Sequence, residues 1–320
     1  MRDSQKDHVT VVEVLSAFVR QYAQTDGGDE GKEVKDSPYE IPEDLQAAFI
    51  VLGRRVKHEE GAPPNLSKAK LADVEAPRTC LDGAVLKGVD LEGSNLYESS
   101  LVGADFSRSN LKNVNLNAAS LAGARFISAR LHGAHFMRAS MQRVDMRGAI
   151  GENVEMTGVD LGGAALDGVR LLKSEMRSAR LDGAVLREAR LADSQLFGAS
   201  LQSITAWGAD FSQCGLILVK MNDADLFSAD FRDADFREAD LSGANFSEAQ
   251  MVGVNLDQTT LKGTFLREAD LTGIARCTVE QLLEARIFPS TILPLEFAED
   301  QRIQRRQEEC EEEYQRANGD

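Results

Sequence analysis

From Leu81 to Leu271 a large apolar residue recurs at every fifth position. There are 39 such positions, and only Gly151 and Ala206 are not Leu, Phe or Met, so the rule is nearly strict. Two residues before each stands a small or short side chain, as with Ala84 before Leu86, Val89 before Leu91 and Ser94 before Leu96. The other three places are mostly polar or Gly. An α-helix cannot carry this pattern, because a turn of about 3.6 residues does not return to one face every five. A flat strand cannot either, because its side chains alternate between two faces. The chain must therefore turn by a fixed angle every five residues and send one large side chain inward each time. Four units per coil would make a square solenoid with twenty residues in each coil. Leu66, Leu71 and Ala76 carry the same phase in degenerate form, as terminal repeats do.

The runs Ala224-Asp225-Leu226, Ala239-Asp240-Leu241 and Ala269-Asp270-Leu271 resemble the motif Ala-(Asp/Asn)-Leu-X-X of the pentapeptide repeat family. The resemblance covers about two-thirds of the chain. It implies that family's fold, an all-β solenoid in the form of a right-handed quadrilateral β-helix. Residues 67–273 would make about ten coils, and with strands about 4.8 Å apart the rod would be about 50 Å long. Large residues twenty apart would form ladders, such as Phe211, Phe231 and Met251. A second resemblance lies in the flank. Val11–Arg20 and Asp44–Arg55 are similar to the segment before the repeats in actinobacterial pentapeptide repeat proteins, many of which carry membrane-spanning helices further upstream.

Three regions are expected. Residues 1–65 form an N-terminal helical segment, 66–275 the β-helix, and 276–320 a C-terminal cap helix, an apolar arm and a charged tail. In the first, Val11, Val12, Leu15, Phe18, Val19 and Tyr22 make one stripe of a helix with Thr10 as N-cap and Glu13 closing a capping box. The Gly-rich, charged stretch 25–37 reads as a flexible loop. A second helix starts at Pro42, buries Leu45, Ala48, Phe49 and Leu52, and stops at Gly53. Arg54, Arg55 and Lys57 after it suit either an anion site or simple complementarity to the helix dipole. In the last region Thr278 caps a short helix that covers the open end of the core. Ile287–Phe297 is an apolar arm for the coil or for a second subunit. The composition of 299–320 suits a solvated helix or disorder, since Ile303 and Tyr314 alone are too few to anchor it.

Two exceptions in the interior have candidate compensations. Ile204, oversized for its small place, would partly fill the space beside Ala206. A local slip at Gly151 would turn Ile150 inward.

No chemistry-bearing constellation stands out. The four histidines include a near pair, His132 and His135, without a third metal ligand. Cys80, Cys214, Cys277 and Cys310 lack metal-ligand spacing, and Cys214 occupies a small inward place, so it reads as a buried thiol. Catalytic, cofactor-binding and metal sites are all expected to be absent, and no cofactor is implied. With no signal-peptide pattern and no membrane-spanning run, the expectation is a cytoplasmic chain without membrane association.

Recognition is expected on the skin. Trp207 and Phe227, twenty apart, would share one outer face; Phe197 and Ile217 would share the opposite one. Such apolar pairs mark a contact surface unless a local bulge covers them. The net charge of −16 argues against direct nucleic-acid binding. Residues 121–190 hold 11 Lys or Arg and 8 Asp or Glu, whereas residues 206–275 hold 5 and 12, so the acid is concentrated late in the repeats. Asp225, Asp230, Asp235 and Asp240 take one repeat place on four successive sides. The leading expectation is a non-enzymatic scaffold for a protein partner, with a homodimer through the C-terminal elements as one form. The alternative follows from the family resemblance: a DNA mimic that binds DNA gyrase or topoisomerase, as quinolone-resistance members do.

Overall fold

The computed structural model describes residues 3–22, 42–53 and 63–318. The chain divides into two units, Met1–Asp160 and Leu161–Asp320. The predicted loop 25–37, the basic cluster Arg54, Arg55 and Lys57, and His58 lie outside the described residues.

In the first unit the helix α1 (Asp3–Tyr22) packs on α2 (Glu43–Gly53). Thr10 is not the cap of α1; the helix begins seven residues earlier, because nothing between Asp3 and Val9 is Gly or Pro to stop it. Its buried stripe is also narrower than the spacing predicted. Val12, Ser16 and Val19 are buried, while Val11 and Val14 face outward. In α2, Leu45, Ala48, Phe49 and Leu52 are all buried.

The repeats of both units follow one hydrogen-bonding rule. The large residue donates its N–H to the carbonyl nineteen positions ahead: Leu86 to Asp105 at 2.9 Å in the first unit, Phe231 to Gln250 at 2.7 Å in the second. The N–H three residues after the large one closes a turn onto its carbonyl, as Val89 does to Leu86 at 3.2 Å and Ala234 to Phe231 at 3.0 Å. The residue before the large one pairs with its counterparts twenty positions away. Val85 with Asp105, Asp90 with Asn110, Asn95 with Asn115 and Ser100 with Ser120 mark the four sides of one coil in the first unit. Val185 with Thr205 and its three successors do the same in the second. Apart from the three-residue strands Ile150–Glu152 and Arg170–Leu172, each side contributes a single ladder bridge, so a coil is built from four turns joined by very short extended links.

The residue two places after the large one sits at positive φ throughout, from Lys68 at 62° to Gly273 at 69°, the third corner of a type II turn. That place therefore takes Gly, Asn, Asp and outward polar side chains. Where the place before the large residue carries Asp or Asn, the side chain serves the turn in a second way. Its side-chain oxygen accepts the N–H two residues on, as in Asp105 to Ser107 at 3.0 Å, Asn115 to Asn117 at 3.1 Å and Asp240 to Ser242 at 3.1 Å.

Inside, the large and small places are almost wholly buried. Several hydroxyls at small places donate to the carbonyl of the large residue one coil back: Ser94 to Leu71 at 2.8 Å, Ser109 to Leu86 at 2.7 Å, Thr264 to Leu241 at 2.9 Å. Cys214 does likewise, its Sγ lying 3.1 Å from the Leu191 carbonyl. Ile204 is buried beside Ala206, as its size suggested. Ile150 is not turned inward; it stays 36% exposed because its own N–H and carbonyl remain in the ladder, bonded to Ala129 and Leu131.

Both coil ends carry specific closures. At the start, α2 supplies acceptors for N–H groups of the first rung: the Gly53 carbonyl for Cys80 at 2.6 Å and Gln46 Oε1 for Glu75 at 3.1 Å. Arg20 of α1 donates to the Asn65 carbonyl at 2.6 Å. At the other end, α3 (Val279–Glu284) starts at Thr278, whose side chain and Gln281 form a capping box. Gln281 Nε2 also donates to the carbonyls of Leu256 and Thr259, both at 2.9 Å. The apolar arm lies on its own coil, where Arg286 pairs with Phe265 and Ile292 with Asp270 in place of a further repeat. It is followed by α4 (Leu295–Ala298).

The charged tail is helical, one of the two forms its composition suits, but it is anchored more firmly than two apolar residues would allow. It forms α5 (Gln301–Asn318) with Ile303 and Cys310 buried. Polar side chains add the anchorage that two apolar residues could not: Gln307 donates to the Phe288 carbonyl at 2.9 Å and Arg306 to that of Ala285 at 3.2 Å. Tyr314 completes an aromatic group with Phe265 and Phe288, ring centroids 6.0 Å and 5.8 Å away.

Candidate interaction face

The eight residues singled out on the skin all belong to the second unit. Trp207, Phe227 and Phe197 are 45%, 39% and 46% exposed, and Ile217 is half-buried. No bulge covers them: the five-residue phase runs on without an insertion. Gly208 donates to the Phe227 carbonyl and Gly198 to that of Ile217, each at 2.9 Å, so each pair sits on adjacent rungs of one side. The sides are half a coil apart. Trp207 is held from its other neighbour, with the Arg187 guanidinium 5.2 Å above the ring. Sequence reasoning placed these aromatics but missed Arg187, although its position twenty residues before Trp207 puts it in the same column. Leu218, 42% exposed in the left-handed turn place, extends the apolar surface beside Ile217.

The four aspartates differ in how much free charge they offer. All are half-buried. Asp230 is gripped by Arg232, with Nε at 2.9 Å and 3.0 Å from its two oxygens. Asp235 is gripped the same way by Arg237, through Nε at 2.9 Å and Nη2 at 2.7 Å. Asp225 accepts Asn245 Nδ2 at 3.1 Å, and Asp240 accepts the Ser242 hydroxyl at 2.6 Å. Partial burial opposes the ionisation of Asp230, but the Arg232 bonds outweigh it and hold the carboxyl below the usual range. At Asp240 burial is likewise outweighed, by hydrogen bonds from Ser242 and Asn222. Asp230, Asp235 and Asp240 also accept the N–H two residues on and so close turns, and the first two have a guanidinium laid over them.

The remaining candidates do not converge. His132 and His135 are exposed, and among the described residues no group of three metal-ligating side chains occurs. The four cysteines are free. Burial pushes the Cys214 thiol up to about 12, so it is inert rather than nucleophilic. Among the described residues no helix is long and apolar enough to cross a membrane.

The family model for pentapeptide repeats matches residues 79–117, 115–150, 155–193, 194–233 and 234–273. No curated protein matches the chain. Among solved structures, it is similar to HetL, a pentapeptide repeat protein involved in heterocyst differentiation regulation from the cyanobacterium Nostoc sp. strain PCC 7120. There the identity is 25% over 68% of this chain and 87% of that one, with a TM-score of 0.24. It is also similar to QnrB1, a plasmid-mediated fluoroquinolone resistance protein, at 15% identity over 66% of this chain and 97% of that one, with a TM-score of 0.40.

Proposed function

This chain belongs to the pentapeptide repeat family, and from that premise we propose that it acts without catalysis, as a scaffold whose outer side chains bind a protein partner. The coil it offers is a right-handed, four-sided β-helix of about ten coils over residues 66–275. Residues 1–65 and 276–320 are regions of their own before and after it, and the chain works in the cytoplasm. The observation that carries the reading is the exposure of Trp207 and Phe227 on one side, at 45% and 39%. Large aromatic side chains anchor protein interfaces, and nothing in the repeat rule requires them at an outward place. The test is affinity capture from the native host with the wild-type chain and with Trp207→Asp/Phe227→Asp. A partner held by the first and lost by the second, with melting temperatures matched, supports the reading. Equal capture by both removes these residues from the interface.

A homodimer through the C-terminal elements belongs to the same proposal. Its support is the exposure of Ile292 and Leu295, 53% and 78%, beside a coil end already closed by α3 and α5. Sedimentation of the wild-type chain and of Leu295→Asp tests it: a single monomer species for both rejects the dimer.

The second reading, imitation of DNA toward gyrase, rests on the net charge of residues 206–275, with 5 basic against 12 acidic side chains. The clamped Asp230 and Asp235 weaken a continuous acidic stripe and leave Asp225 and Asp240 to carry it. A supercoiling assay discriminates. Inhibition by micromolar wild-type chain that Asp225→Asn/Asp240→Asn relieves supports mimicry, and no inhibition discards it.

A further inference from the structure

The Trp207–Phe227 column continues as Ser247 and Arg267, each twenty residues further on. Between Phe227 and Arg267 the small Ser247 leaves a gap, and there a cavity of about 510 Å³ opens. That volume lies in the range of about 300–1,000 Å³ usual for small-molecule sites. Its far wall is formed by Arg286, the residue that leads into the arm, and Tyr314 of α5, so the coil, the start of the arm and the helix converge on it.

The two arginines are oriented by aromatic rings more than by acids. The Arg267 guanidinium lies 4.7 Å from the Tyr314 ring centre and donates to the Tyr314 hydroxyl at 2.8 Å. The Arg286 guanidinium lies 5.2 Å from the Phe265 ring, and its buried Nε has no acceptor among the described residues. Their nearest carboxylates are loose, Glu268 at 3.5 Å from Arg267 and Glu313 at 3.8 Å from Arg286. Those distances exceed a good charge-assisted bond, in contrast to Arg237, which reaches Asp235 at 2.7 Å. Guanidinium groups held by stacking keep in-plane donors for a carboxylate. Depth sorts the charges too. Both arginine side chains are 36% exposed, whereas Glu268 and Glu313 are 49% and 51% exposed, and Glu248 is also outward. Cations line the wall and acids the rim, which favours a ligand with one inward negative charge over a polyanion.

We propose that this cavity binds a small planar apolar molecule bearing a single carboxylate, its ring against Phe227 and Tyr314 and its carboxylate on Arg267 and Arg286. The site shares Phe227 with the protein-partner face, but it rests on Arg267, Arg286 and Tyr314, so its test stands apart from that reading. The probes are naphthalene-2-carboxylate and the neutral naphthalene-2-carboxamide, titrated calorimetrically into the full chain. The carboxylate should bind about tenfold more tightly than the amide or better, a difference of about 1.4 kcal/mol. Arg286→Gln should weaken the carboxylate about tenfold and remove the preference over the amide, while Arg237→Gln changes neither. Ser247→Trp fills the cavity and should abolish binding. It should fold normally, since Trp207 occupies the same place two coils earlier. No saturable binding at millimolar carboxylate, equal affinity for both probes, or binding that survives Ser247→Trp overturns the site.

Discussion

The main-chain N–H of Cys80 donates to the carbonyl of Gly53 at 2.6 Å, which joins the last residue of α2 to the first coil. A Cβ added at Gly53 would overlap the Thr79 side chain. In an ordinary helix Gly→Ala stabilises by about 1 kcal/mol. Here Gly53→Ala should instead destabilise, by about 1–3 kcal/mol, as overpacking does. Thermal denaturation gives the sign, and Gly53→Ala/Thr79→Gly, which removes both Thr79 side-chain carbons that the new Cβ would meet, should recover part of the loss. A stabilised single variant would mean that α2 does not seat against this rung.

Two aspartate–arginine clamps predict a pH dependence. Bonds from Arg147 hold the Asp145 carboxyl below its ordinary range, and those from Arg232 do so for Asp230 against partial burial. A carboxyl depressed on folding contributes stability that is complete above its unfolded value and is lost as the pH falls through its folded value. Asp145→Asn/Asp230→Asn should therefore lower the melting temperature at about pH 7 and differ little from wild type near about pH 2. The Asn oxygens can still close the turns, so the comparison isolates the charge. A gap of equal size at both pH values would show that the clamps contribute nothing electrostatic.

The thiols should differ in reactivity according to depth. Burial pushes Cys214 up to about 12, and its Sγ faces the Leu191 carbonyl, whereas Cys80 is half-buried on the ladder. Iodoacetamide at about pH 8 followed by peptide mapping should label Cys80 first and Cys214 only at the rate of local opening. Labelling of Cys214 as fast as that of Cys80 would contradict the assigned inward register.

The interior was legible because the five-residue period has one physical cause, a turn that returns one large side chain inward, and the same period assigns Ile204 and Cys214 to small buried places. The ends were less so. Nothing in the composition of 301–318 reveals that Gln307 and Arg306 reach the carbonyls of Phe288 and Ala285, because those bonds depend on where the arm lies. Phe265, the one Phe, Tyr or Trp in its repeat place, was the available signal for a covered coil face, with Tyr314 and Arg286 as its partners. The candidate face was half legible. An outward Trp207 follows from register alone, but whether Asp230 is a free charge depends on the rotamer of Arg232, which a repeat pattern does not specify.

Phe231 is the most connected aromatic of the second unit's interior. Its ring stacks on Phe211 at 5.0 Å with a 3° interplanar angle, and it meets Phe236 at 5.2 Å and Phe246 at 5.3 Å. Phe231→Ala should cost about 3–5 kcal/mol, because the neighbouring turns are fixed by their ladder bonds and cannot collapse into the space. Phe231→Asp should cost more, since a carboxylate there has no donor and must be buried charged or protonated. Each coil is bonded chiefly to the next, so the damage should start locally. Hydrogen exchange should show loss of protection first in the rungs of Phe211, Phe231 and Met251, while the amides of Leu86 and Phe106 in the first unit remain protected. Uniform loss across both units would show that the array unfolds as one cooperative block, and unchanged stability would remove Phe231 from the core.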